Sequence, residues 1–452
     1  MGIPHVLAIP YPGQGHVIPM IELMQRATQH GLKVTIANAE FIHTKVMNAL
    51  STNEDLGENL NLVSIPDGME PGEDRNDILK VSQAIQRFMP KELEEFIQKI
   101  NGAGDDDKIS CVIVDGTMGF AVNVAKNLGI KVAVVWFASA AVLVSIQSIP
   151  KLIDDGILNK DDGSVTKNKM FPLSVPTISS ETLMWTSFND EAIRKNCFEL
   201  LSNCNQSMKL ADLIICNSAY ELEPAAFSAI PKVLPVGPLS ASSVPKDKAG
   251  NFWSEDSSCL SWLDQQPVCS VIYVAFGSFT IFDQTQFQEL ALGLELTNRP
   301  FLWVVRPDIT TDTHVAYPDG FQDRVGIRGK MVGWAPQHKV LRHPSVACFL
   351  SHCGWNSTTE GVSNGVPFLC WPYFADQLSN ETYICDVWNI GLGFKKDAGG
   401  IIRQDEIVRK VEQLFSGNYK ERAMELKLKV LNSVQAYGCS EKNLSNFIKW
   451  MK

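Results

Sequence analysis

The sequence predicts an α/β protein whose parallel sheets fall in two domains. Three observations carry that prediction. Short β-branched and aliphatic runs alternate with helix-like stretches in both halves, the pattern that βαβ folding produces. The 452 residues exceed what one hydrophobic core organises. Near the middle, Pro235-Val236-Gly237-Pro238 leads into LSASSVPKDKAGN, a polar Ser/Lys/Gly tract with linker character.

Taken in order, strands are expected near Val6, Val34, Leu62, Val112 and Val132 in the first half. In the second they are expected near Val271, Phe301, Met331, Val346, Pro367 and Gly391. The domains are then 1–238 and 253–435, joined by 239–252.

The first strand, His5–Ile9, runs into Pro10-Tyr11-Pro12-Gly13-Gln14-Gly15-His16. Gly13-x-Gly15 after a first strand invites comparison with a dinucleotide fingerprint, but the third glycine is missing, with Ile18 in its place and Pro19 next. Glu40, after LKVTIANAE, lies near the distance of the acidic partner without closing a convincing second strand. Imidazole, with an ordinary pKa of about 6.5, suits a general base at working pH. Its partner should be a carboxylate, and the apolar run Lys108–Asp115 ends in one. The carboxyl ends of parallel strands share one edge, where ligands bind, so His16 and Asp115 can meet. Read separately, they are also a loop histidine and a helix cap for the segment after Gly116.

Other strands end in turns suited to anions. Ser270–Phe276 is followed by Gly277-Ser278, where glycine lets the backbone approach a phosphate and the hydroxyl donates. Val132–Trp136 leads to Phe137-Ala138-Ser139, where Ser139 is also a natural N-cap. VACFL ends at Ser351-His352-Cys353-Gly354, and Trp355–Asn364 then reads as a helix. Unpartnered N–H groups and the dipole make such a helix start attractive to anions. Ser357 through Glu360 also spells a capping box, an alternative duty for both residues.

Trp334, His352 and Gln377 belong to one 44-residue stretch, WAPQHKVLRHPSVACFLSHCGWNSTTEGVSNGVPFLCWPYFADQ. The stretch resembles, in length and in nearly every diagnostic residue, the signature box of plant family 1 UDP-dependent glycosyltransferases. The resemblance implies two Rossmann-like domains facing across a cleft, the B form, with a closing helix at about 436–452 packing back on the first domain. It implies Trp334 and Gln337 at the uridine, with Ala335 between them, and Glu360 at the ribose hydroxyls. It implies His352, Gly354, Trp355, Asn356 and Ser357 around the diphosphate, joined by Gly277, Ser278 and Ser139. It implies Asp376 and Gln377 at the sugar, glutamine being usual for glucose donors. The amino-terminal turn resembles the family's PxxGQGHxxPM element, which makes His16 the catalytic base and Asp115 its orienting carboxylate. Direct displacement would invert the anomeric carbon. A UDP-sugar-binding sensor without catalysis is the alternative, and the presence of both His16 and Asp115 counts against it.

The acceptor pocket is expected from Gly15, Met118, Phe120, Met184, Trp185, Phe188 and Phe374, an apolar and aromatic lining suited to a lipophilic aglycone. It does not separate flavonoid, other phenolic, terpenoid and steroid.

Composition narrows the partners. A formal charge of −10 without a basic patch disfavours nucleic acid. Eleven scattered cysteines, with no CxxC pair, point to free thiols and a reducing, cytoplasmic compartment. The start of the chain lacks a signal-peptide pattern, and no apolar stretch reaches membrane-spanning length. The sequons at Asn205, Asn356, Asn380 and Asn443 read as chance matches. His343, His352 and Cys353 lack metal-ligand spacing, so no metal and no cofactor is expected beyond the UDP-sugar co-substrate, and a monomer is expected.

Overall fold

Strand order governs where chemistry can sit in an α/β fold. The computed structural model describes residues 3–49, 59–75, 77–104, 107–166, 175–188, 190–241, 250–310 and 317–452. Their strands form two all-parallel sheets. The first has seven strands in the order β3-β2-β1-β4-β5-β6-β7. They are β1 (His5–Ile9), β2 (Lys33–Ala39), β3 (Leu60–Ile65), β4 (Ile109–Asp115), β5 (Lys131–Trp136), β6 (Leu213–Cys216) and β7 (Val233–Pro235). The second has six strands in the order β10-β9-β8-β11-β12-β13. They are β8 (Val271–Ala275), β9 (Phe301–Val304), β10 (Gly329–Val332), β11 (Val346–Ser351), β12 (Phe368–Cys370) and β13 (Gly391–Gly393).

Helical crossovers cover both faces of a parallel sheet, which is why the central strands are unbroken apolar runs. β1 and β8 are buried along their whole length. Each sheet reverses its winding beside such a strand: between β1 and β4 in the first, between β8 and β11 in the second. Ile9 lies opposite Val114, and Ala275 opposite Ser351, so the paired strands end together. At such a reversal the flanking loops diverge and leave room for ligand at the carboxyl ends.

The chain divides into two units, Met1–Phe252 with Asn432–Lys452, and Trp253–Leu431. Most of the expected linker, residues 242–249, lies outside the described residues. The closing helix, Cys439–Met451, belongs to the first unit. Its Leu444, Phe447, Ile448 and Met451 join the core that holds Val6 and Val34. Asn443 Nδ2 donates to Pro235 O (2.9 Å), and Lys131 Nζ donates to Trp450 O (2.7 Å).

All eleven expected strands are present. β6 and β7 were not expected: they are four and three residues long, and β7 ends in a proline. Proline is tolerated there because β7 is an edge strand.

Candidate active site

Gly13 stands at the N-cap position of the helix Gln14–Gln29, which puts His16 in its first turn. His16 Nδ1 meets Asp115 Oδ2 at 2.7 Å. A carboxylate only accepts, so Nδ1 carries the proton and the neutral ring keeps its lone pair on Nε2. Asp115 is 1 % exposed, and its Oδ1 accepts from Thr117 N (2.9 Å) and Thr117 Oγ1 (2.7 Å). Burial would raise its pKa, but the attraction of His16 when protonated and the hydrogen bonds from His16 and Thr117 outweigh burial and hold the carboxyl below its usual range. The cap alternative for Asp115 fails, because the next helix begins at Gly119 behind Met118. Two aromatics flank the imidazole, Tyr11 with ring centroids 5.1 Å away and Phe137 edge-on at 6.4 Å. Neither was expected, since an aromatic beside a strand end carries no sequence mark.

In the second unit, the turns after β8 and β11 close on one imidazole. A Cβ on Gly277 would lie 2.6 Å from His352 Nε2, and one on Gly354 2.5 Å away. Gly277 also has φ 65°, a left-handed conformation that glycine adopts without strain. Burial, then the Arg306 guanidinium, push the His352 pKa down to about 4. The ring is therefore neutral at physiological pH and can serve an anion only as an N–H donor. Arg306 was also unexpected. It is 1 % exposed and donates to Gly277 O, to Thr280 O (2.9 Å) and to Asp308 Oδ1 (2.9 Å), bracing the loop that carries Ser278.

The helix predicted at Trp355–Asn364 has those bounds, with Gly354 at its N-cap. Ser357 is thus inside the first turn, and the capping-box alternative does not hold. Its Oγ accepts from Gln337 Nε2 (3.0 Å), as does Glu360 Oε2 (2.7 Å). Tyr273, 1 % exposed in β8, donates its hydroxyl to Gln337 Oε1 (3.2 Å) and so decides which way the amide faces. Trp334 is half-buried and stacks on Trp253, with centroids 4.9 Å apart at 27°. Ala335 is buried beside it.

Asp376 stands at the N-cap position of the helix Gln377–Thr382, yet its side chain makes no cap bond. Gln377 is buried, and its Oε1 accepts from Tyr373 N (2.7 Å) and Phe374 N (3.1 Å). The amide oxygen is spent on the backbone, so Gln377 presents its NH₂ group as donor.

Some expected residues have other duties. Ser139 is fully buried, and its Oγ accepts from Val142 N (3.4 Å) as the cap of the helix Ala140–Gln147. The cap duty that the sequence also offered is therefore filled. Trp185 is fully buried, with Nε1 donating to Gly163 O (2.9 Å) and its ring against Phe198. It is a core pin rather than pocket lining, as expected of a Trp with a satisfied N–H. Met118 is buried too, whereas Gly15 is exposed and Phe120, Met184, Phe188 and Phe374 are half-buried. Trp355 is 3 % exposed with its ring packed towards Trp388, so only its backbone N–H, in the first turn of the helix, is suited to an anion. Asn356 is half-buried. Among the described residues no group of three or more His, Cys, Asp or Glu is arranged to hold a metal ion, and no helix is long and apolar enough to cross a membrane.

Residues 247–430 match the family described as "UDP-glucoronosyl and UDP-glucosyl transferase". The chain is 44% identical over 467 residues to UDP-glycosyltransferase 83A1 of Arabidopsis thaliana, covering 100% of this chain and 97% of that one. The chain belongs to the plant family 1 UDP-dependent glycosyltransferases. Solved structures agree. This glycosyltransferase superposes with a TM-score of 0.84 on a UDP-glucosyltransferase from Polygonum tinctorium capable of glucosylating indoxyl, at 28% identity and 100% and 99% coverage of the two chains. It superposes with a TM-score of 0.82 on Os79 from O. sativa, solved in complex with UDP, at 26% identity and 99% and 100% coverage. Its two parallel sheets are those of the B-form glycosyltransferases.

Proposed function

We propose that this glycosyltransferase moves glucose from UDP-glucose to a hydroxyl of a small lipophilic acceptor, with inversion. The observation that carries the reading is the His16–Asp115 pair at 2.7 Å. A phenol or alcohol is a weak nucleophile at neutral pH, so proton removal at the moment of attack is what a catalyst must supply. His16 Nε2 takes the hydroxyl proton as the oxygen attacks the anomeric carbon. The bond to the UDP oxygen breaks, and UDP departs with its electrons. Asp115, ionised and held by Thr117, stabilises the imidazolium that forms. One displacement converts an α-linked donor into a β-linked product. Two carboxylates flanking the sugar, as in double displacement, are not part of this reading.

In the second unit, Trp334 offers the indole face opposite Trp253 to uracil. Gln337 and Glu360, ordered by Tyr273 and Ser357, serve the uridine and its ribose hydroxyls. The helix start at Gly354–Asn356, neutral His352 and the Gly277-Ser278 turn donate to the diphosphate. Asp376 and Gln377 grip the sugar. Hydrogen-bond donors and a helix N-terminus balance the diphosphate charge, so the reading requires no metal and no further cofactor. Flavonoid, other phenolic, terpenoid and steroid acceptors all fit an apolar lining of Phe120, Met184 and Phe188 in the first unit, and the role is in plant secondary metabolism. A cytoplasmic monomer suits eleven free thiols and the buried sequon residues Asn205 and Asn380.

The test is a panel of such acceptors incubated with UDP-glucose and purified protein, with product linkage read by NMR. A β-glucoside that vanishes in His16→Ala is the expected result. Products in the α configuration would overturn the single-displacement reading.

A further inference from the structure

Asn380 ties two parts of the second unit together. It stands in the helix Gln377–Thr382 and is fully buried. Its Nδ2 donates to Cys353 O (2.9 Å) and to Asp376 Oδ2 (2.7 Å). Both partners are acceptors, so the amide orientation is decided: flipped, its oxygen would face two oxygens. Oδ1 is buried without a hydrogen-bond partner. The orphaned buried oxygen and the weak helix propensity of Asn both cost stability, which the two bonds from Nδ2 have to offset. What the amide supplies is geometry. Cys353 sits at φ 65° between His352 and Gly354, and holding its carbonyl holds the turn that aims both neighbours. Asp376 makes no cap bond to its own helix, and Asn380 draws its carboxylate back towards that turn.

We infer that Asn380 is a positioning residue for the donor sugar, setting the Asp376 carboxylate in register with the diphosphate turn through one bifunctional amide. The inference rests on the proposed reading of Asp376 as a sugar contact. It also gives the Asn380-Glu381-Thr382 sequon a role inside the fold, where no glycan could be attached.

Calorimetric affinities for UDP and UDP-glucose test it, measured on the full chain, Asn380→Ala, Asn380→Ser, Asp376→Ala and the Asn380→Ala/Asp376→Ala double variant. The readout is the ratio of the two affinities, which a merely structural role would leave unchanged because both ligands would weaken alike. Asn380→Ala should lower the preference for UDP-glucose over UDP about tenfold, the scale of one charge-assisted hydrogen bond. Asn380→Ser keeps one donor and should fall between; it also serves if the alanine variant does not fold. The double variant should lose no more of the preference than Asp376→Ala alone, because both changes disable one contact. An unchanged ratio in both Asn380 variants, or losses that add in the double variant, would overturn the inference. An unchanged ratio in Asp376→Ala would instead bring down the sugar reading beneath it.

Discussion

Nδ1 of His16 lies 2.7 Å from Oδ2 of Asp115, across 99 residues of chain. Parallel order produces this meeting. β1 and β4 are neighbours in the sheet although β2 and β3 intervene in sequence, and the two residues follow or close those strands. The second sheet repeats the device at β8 and β11, where Gly277 meets His352. Each unit thus gathers these polar groups where its strand order reverses, the position at which an open α/β sheet leaves a crevice.

His16→Ala should lower turnover about 10²- to 10⁴-fold, the usual range for a general base. UDP affinity should stay within twofold, because His16 belongs to the other unit from the nucleotide residues. Asp115→Asn should also be impaired, since an amide cannot stabilise imidazolium. Thr117→Val, removing one of the bonds that hold the carboxylate, should have a smaller effect of the same kind. Steady-state kinetics with calorimetry decide this, and turnover of His16→Ala within threefold of the parent would remove His16 as the base.

Gly277→Ala should weaken UDP binding at least tenfold while leaving uridine nearly unaffected. A left-handed non-glycine residue costs about 1–2 kcal/mol. The new Cβ would also lie 2.6 Å from His352 Nε2 and would displace that ring. Equal losses for UDP and uridine would show a general disturbance of the unit rather than a diphosphate effect.

Tyr273→Phe should weaken uridine binding about five- to tenfold, the scale of one neutral hydrogen bond. Without the hydroxyl, nothing in β8 selects the Gln337 orientation that serves Ser357 and Glu360. In Gln337→Ala the same Tyr273 change should add little, because the two residues act through one contact. Additive losses would separate them.

What could be read from sequence follows from how each signal is stored. Strands beside the reversals are apolar runs that lead into Pro, Gly, Asp or Ser, and both the runs and the residues after them are local. The helix Trp355–Asn364 was visible because glycines bracket it at Gly354 and Gly365. β6 and β7 were too short to show a period. Tyr273 reads as one more apolar strand residue, and its hydroxyl gains meaning only through Gln337, 64 residues away. Arg306 looks like an ordinary surface cation until its carbonyl partners 26 and 29 residues upstream bury it. Trp185 misled in the opposite sense: a residue type common in ligand sites was recruited to the core.

His352 should give stability a distinct pH dependence. Burial, then Arg306, lower its pKa from 6.5 to about 4 in the folded protein. As pH falls, the unfolded chain takes the proton first. A depressed folded value therefore means stability that is present above about pH 6.5 and lost progressively towards pH 4. His352→Gln lacks this loss. Between pH 7 and 4.5 the parent's melting temperature should fall further than the variant's, and parallel curves would contradict an imidazole held neutral by the fold.

Donor choice is the last prediction. Gln377 Oε1 is committed to the backbone N–H groups of Tyr373 and Phe374, so its NH₂ group alone is left to read the sugar. A donor of set position favours a hydroxyl oxygen at one configuration. Galactose differs from glucose at one hydroxyl, and a buried polar group left poorly paired costs about 1–3 kcal/mol. UDP-glucose should therefore be preferred over UDP-galactose by about 5- to 150-fold in kcat/KM, at about 1.4 kcal/mol per tenfold. Gln377→His should narrow the gap and also loosen the Tyr373–Phe374 turn, which loses its acceptor. Gln377→Glu separates those effects: it keeps an oxygen for the turn but replaces the donating NH₂. If Gln377 reads the sugar, the glutamate variant loses the preference while retaining UDP affinity. Competition between the two UDP-sugars decides it, and equal efficiency in the parent would remove Gln377 as the selector.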